Sequence, residues 1–174
     1  VQDSAQRQTE IVVVAGHFGS KQAPAPPPKS WAARTDTDVA IWTIKMAPEA
    51  RFDLPPAQPG SSRTIYFFRG SSMRVGDQSI SRNCRVLLRP DVEAPLIGGP
   101  DGSDLLLLQG RPIAEPVVQY GPFVMNSRAE IQQAFEDYRR TGFGGWPWSS
   151  DGPVLPRAEG RYARHADGHT ERIA

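Results

Sequence analysis

The chain has 174 residues, enough for one domain with a substantial core, and its 17 Pro and 16 Gly favour turns over long helices. A net charge of +1 and a pI near 8.1 give no electrostatic basis for direct nucleic-acid binding. Cys84 is the single cysteine, which excludes an intrachain disulfide and fits a reducing, cytoplasmic compartment, and no apolar run reaches the length of a membrane span.

In chain order, residues 1–9 are polar and read as a loose lead-in. The chain starts at Val1 with no signal peptide before the first strand, which leaves processing, truncation or a missing upstream half open. Residues 11–15 form a short β-branched run ended by Gly16, a buried strand and turn. The prolines of residues 23–28 demand an extended loop, either a connector or a proline-rich ligand for a recognition domain. Residues 39–46 alternate in polarity, with Trp42 the largest side chain. Short strands follow at 51–54, 64–68, 73–75, 78–80, 84–88, 93–97 and 105–108, with Gly76-Asp77 as a tight hairpin turn. Such spacing indicates an all-β sandwich or barrel. Glycines in 98–102 precede no helix start, so a phosphate cradle there has little support.

Residues 109–126 are punctuated by Gly and Pro and cannot be regular helix or central strand. A helix then starts sharply: Ser127 with Glu130 makes a capping box, and Ile131, Ala134, Phe135 and Tyr138 form one apolar stripe facing a core. Arg139 and Arg140 suit its C-terminal end, and Gly142 its left-handed close. Beyond residue 150 the chain reads as an irregular tail.

The run GRPIAEPVVQYGPFVMNSRAEIQQAF, with FGGWPW after it, resembles the C-terminal domain of the pirin family. SWAAR (residues 30–34), RTIYFFRG (63–70) and GRYARHADG (160–168) extend the resemblance over nearly the whole chain. It implies an antiparallel, RmlC-like cupin β-barrel or jelly roll over residues 10–150 with one C-terminal helix. Pirins pair two cupin domains, and the resemblance covers only the second.

An active cupin holds its metal with several histidines and a carboxylate, donors suited to a divalent transition metal. Here the histidines are His17, His165 and His169, so none falls between residues 18 and 164. Arg51, Asp53 and Arg63 stand where the first cupin motif belongs, and an arginine there repels a cation. The expectation is therefore no metal and no cofactor in this chain, with iron in the absent N-terminal half. His165 and His169 flank Asp167-Gly168 and read as solvated residues, a metal pair being the sharper alternative. His17 reads as a turn residue or a general base. Cys84, near Arg82 and Arg85, is a wall residue or an activated thiol. Arg111 and Glu115 suggest a buried pair that fixes the proline loop, paired acid and base catalysis being the alternative. No catalytic residue is named.

Three functions remain. The first is a structural or regulatory second half of a pirin-like protein, bound to an iron-binding N-terminal cupin half or self-associated. For that family the resemblance implies quercetin 2,3-dioxygenase-like activity or redox-sensitive co-regulation of transcription. The second is a stand-alone cupin module that binds a small ligand without catalysis. The third is a metal-free enzyme, for which no nucleophile or base stands out. Phe143, Trp146 and Trp148 are the candidate interface, because a small barrel has least room for such rings.

Overall fold

The computed structural model describes residues 1–81, 83–146, 157–165 and 167–172. The chain divides into two compact units, Val1–Ala114 and Glu115–Ala174. The first contains β1 (Thr9–Ala15), β2 (His17–Phe18), β3 (Lys21–Gln22), β4 (Ala40–Met46), β5 (Arg51–Leu54), β6 (Ser62–Arg69), β7 (Met73–Val75), β8 (Gln78–Ile80), β9 (Cys84–Leu87), β10 (Ala94–Gly98) and β11 (Ser103–Gly110). The second contains β12 (Val118–Tyr120), β13 (Phe123–Met125), α1 (Arg128–Thr141), β14 (Tyr162–Arg164) and β15 (Thr170–Arg172). Among the described residues, no helix is long and apolar enough to cross a membrane.

Unit 1 has a five-stranded sheet in the order β1-β4-β11-β6-β9 and a four-stranded sheet in the order β5-β10-β7-β8. Every pairing in them is antiparallel. No ladder joins the two sheets among the described residues, so the expected barrel is an open jelly-roll sandwich. Prolines explain part of this: Pro48, Pro55 and Pro90 lie just past strand ends and offer no N–H to continue a ladder.

Alternation builds the core. Along β4, Ala40, Trp42, Ile44 and Met46 are buried while Thr43 and Lys45 are exposed. Four consecutive leucines in β11 divide the same way, Leu105 and Leu107 being fully buried and Leu108 exposed. Phe52 and Leu54 of β5 and Leu96 of β10 complete the apolar cluster from the other sheet. Gly76 and Asp77 close the β7–β8 hairpin as the sequence predicts.

Residues 1–9 are not loose. Val1 and Thr9 exchange backbone hydrogen bonds at 2.8 and 2.9 Å, and Asp3 accepts from the backbone N–H groups of Ala5, Arg7 and Arg51. Burial works against ionisation of Asp3, but those backbone donors and the Arg7 guanidinium outweigh it and hold its carboxyl below the usual carboxylate range. The lead-in is thereby tied to β5 by a charged acceptor. Its contribution to stability is present above the unfolded pKa and is lost as pH falls through the lowered folded value. Urea titrations of the wild type and Asp3→Asn should therefore begin to converge as pH drops below about 4; a difference that does not narrow as pH falls further contradicts this role.

In unit 2, the Ser127 hydroxyl accepts from the Glu130 N–H at 3.3 Å and donates to the Glu130 carboxylate at 2.8 Å. The capping box thus closes side chain to side chain. Gly142 ends α1 at φ +56°. Ile131 and Ala134 are buried, and the Phe135 ring meets Tyr120 and Phe123 of the β12–β13 hairpin at 5.7 and 4.8 Å. The stripe expected to face a core is seated on a hairpin of its own unit. That hairpin forms inside the Gly- and Pro-punctuated segment, turning at Gly121-Pro122. Tyr138 departs from the expected burial, 53% exposed while touching Phe123 and Phe143 edge-on. The tail is not wholly irregular, because β14 and β15 pair across residues 165–169.

Candidate functional site

The inward rows of the five-stranded sheet change character at one end. Ile44, Leu105 and Phe67 align across β4, β11 and β6, then Trp42, Leu107 and Ile65, and the last row is Ala40, Gln109 and Arg63. Arg63 shares the parity of Ile65 and Phe67, which turns a guanidinium toward the interior. Ala40 is the small member of its row. Around this polar end lies a cavity of about 920 Å³.

Arg63 is only 3% exposed. Its Nη2 donates to the Pro55 carbonyl, while Nε and Nη1 are buried without a partner. No carboxylate among the described residues pairs with it. Burial pushes its pKa down, and the charge of Asp38 opposes that shift. Trp42 Nε1 and Gln109 Oε1 are likewise buried and unpartnered, and both side chains line the same cavity. Each buried group left unsatisfied costs about 1–3 kcal/mol.

The rim is built from loops that hold one another. Asp38 adopts φ +52°, a strained value for a residue other than glycine. Its carboxylate accepts from the Gln58 N–H at 2.9 Å and the Ser61 hydroxyl at 2.7 Å, joining the loop before β4 to the loop before β6. Arg34 is bound side-on to Asp36 at 3.0 and 3.1 Å and lies 4.7 Å over the Trp31 ring. Hydrogen bonding to Arg34 holds the Asp36 carboxyl below its usual range. Trp31 Nε1 donates to the Arg111 carbonyl, and the Arg111 N–H donates to the Thr37 carbonyl. Residues 32–34, Arg63 and Gln109, far apart in sequence, thus line one cavity.

Of the arginine and aspartate residues expected near the interior, only Arg63 is there. Arg51 and Asp53 are exposed on β5 because they alternate with buried Phe52 and Leu54. His17 is exposed on the cavity rim, paired through β2 to Gln22. Cys84 is half-buried, matching Val86 in parity. The buried Arg111–Glu115 pair is not found: both residues are exposed, Arg111 donates to the Pro59 carbonyl, and Glu115 accepts from Asn126. His165 and His169 are brought face to face by the β14–β15 hairpin, rings 5.1 Å apart, with Glu171 beside them. Their donor atoms and that of Glu171 lie within 4.8 Å of one another, all on exposed side chains. Of the candidate interface residues, Phe143 and Trp146 have exposed side chains, and Trp148 lies outside the described residues. Sequence reasoning missed Asp38 and Gln109, although Leu105-x-Leu107-x-Gln109 carries the alternation that turns Gln109 inward.

Residues 41–144 match the family model of the pirin C-terminal cupin domain. The chain belongs to the pirin family. A Pseudomonas aeruginosa protein named provisionally as a quercetin 2,3-dioxygenase is 35% identical over 132 residues, 75% of this pirin-family chain and 45% of that protein. Pirin-1 of Arabidopsis thaliana is 32% identical over 138 residues, 77% of this chain and 46% of its own. The structure of a quercetin 2,3-dioxygenase from Acinetobacter baumannii superposes with a TM-score of 0.61 at 22% identity, covering 82% of this chain and 49% of that one, and supports the cupin fold. The pirin-family chain spans less than half the length of these relatives.

Proposed function

We propose that this chain is the metal-free second cupin of a pirin-like protein, a structural and regulatory partner of an iron-binding N-terminal cupin half in the cytoplasm. The two faces of the five-stranded sheet carry this reading. Inside, its last row presents a buried guanidinium, and the rows beneath it are apolar. These residues do not fit a metal: the inward-facing row offers a cation and an amide where imidazole and carboxylate donors are needed. Outside, where an antiparallel sheet ordinarily carries polar residues, Val12, Val14, Phe68, Leu87 and Leu108 are exposed. Phe143 and Trp146 add exposed rings in unit 2. Contiguous exposed apolar surface marks association sites, and these side chains are the candidates for one. Any oxygenase chemistry suggested by the relatives' names is assigned to the other half.

Two measurements test the reading. The chain with His165→Ala and His169→Ala, which removes the exposed hairpin donors, is expected to purify with substoichiometric iron, nickel, copper and zinc. Full occupancy by any of them overturns the metal-free assignment. In sedimentation with a separately expressed iron-loaded pirin N-terminal domain, a heterodimer is expected, weakened by Val12→Lys with Leu108→Lys. Two non-interacting species overturn the partner role.

A further inference from the structure

We propose that the cavity at the polar end of the sandwich binds a small organic monocarboxylate with an apolar body, its carboxylate on Arg63 and its hydrocarbon part against Phe18 and Trp42. This goes beyond the partner role and does not depend on it. The charge argues for an anion. Arg63 is buried with two unpartnered N–H nitrogens and, among the described residues, no carboxylate at ion-pair distance, so the Pro55 carbonyl and the more distant Asp38 charge offset its desolvation only in part. A carboxylate matches the planar guanidinium and forms charge-assisted hydrogen bonds with it. The other charged groups on the cavity do not fill that role. Arg34 is engaged with Asp36, and Asp38 is held by Gln58 and Ser61. The Asp38 charge, on the same cavity wall, favours a monoanion over phosphate or sulfate, whose second charge it would repel.

The walls argue for an organic body. Phe18 meets Trp42 edge-on at 5.2 Å and Phe52 at 5.9 Å, a ring cluster continuous with the core. Pro26, Pro55 and Pro56 line the same space. Trp42 Nε1 adds an unpartnered donor and Gln109 Oε1 an unpartnered acceptor, so a hydroxyl on the ligand would find a partner. At about 920 Å³ the cavity is of the size that takes small organic molecules.

The test uses the full chain, titrated at constant ionic strength with benzoate, with benzamide as its neutral counterpart, and with chloride. Amide and indole N–H resonances are followed, the Trp42 indole being assigned with Trp42→Phe. Benzoate is expected to shift the Trp42 indole N–H saturably, and benzamide to bind at least about tenfold more weakly for lack of the charge-assisted contact. Arg63→Met is expected to abolish the benzoate response while Arg63→Lys retains part of it. The proposal is overturned if benzoate leaves the Trp42 indole unmoved at millimolar concentration, if benzamide binds as well as benzoate, or if Arg63→Met binds benzoate undiminished. Chloride reproducing the full response and excluding benzoate also overturns it, since the site would then hold a simple ion. Should Arg63→Met fail to fold, the benzoate–benzamide comparison on the wild type decides.

Discussion

Phe67→Ala should lower the unfolding free energy of unit 1 by about 3–5 kcal/mol, the range for deleting a buried aromatic ring. Phe67 is 1% exposed and aligns with Leu105, which aligns in turn with Ile44 on β4. The vacated space cannot easily collapse. Gly70, at φ +124°, lies so close that a Cβ there would meet the Phe67 Cε2 at 2.9 Å and the Gly102 carbonyl at 2.5 Å, so the backbone on that side is already packed. A cavity therefore remains and adds to the lost transfer energy. Its sequence neighbour Phe68 is 52% exposed on the opposite face, and Phe68→Ala should change stability by about 0.5 kcal/mol or less. Urea denaturation of the two variants measures the contrast. Similar losses for both would mean that β6 does not divide its side chains between core and surface.

Arg63→Met should have the opposite sign, raising stability by about 1–4 kcal/mol, as replacement of buried charges by apolar groups of like volume often does. The variant removes two unsatisfied donors and a desolvated cation, and loses the single contact to the Pro55 carbonyl. Thermal unfolding without ligand checks this. A loss of several kcal/mol would show that the guanidinium is fully compensated in the folded chain, and that the cavity is not the partly compensated site described above. A gain in stability with loss of benzoate binding is the pattern of a residue kept for a ligand at the expense of the fold.

Much of this arrangement follows from local sequence. The strands at 51–54, 73–75 and 78–80, the Gly76-Asp77 turn and the helix from Ser127 to Gly142 are set by alternation, turn chemistry and caps, interactions that span a few residues. The absence of histidine from residues 18–164 is likewise a property of the chain alone. Arg63 was visible as an awkward residue, and its parity with Ile65 and Phe67 even gives its direction.

What the sequence could not supply is which residues stand beside Arg63. Gln109 and Ala40 reach it through the register of β4, β11 and β6, and Asp38 ties the rim through residues 20 and 23 positions away. The expected Arg111–Glu115 pair failed for the same reason, since closeness in sequence does not decide partners in a loop. His165 and His169 meet only because their hairpin pairs at 162–172. Alternation is a local consequence of strand geometry and can be read from the chain. Sheet order and register depend on how all the strands share one interior, so only the folded structure brings an unpaired guanidinium, an indole N–H and an amide oxygen to the same cavity.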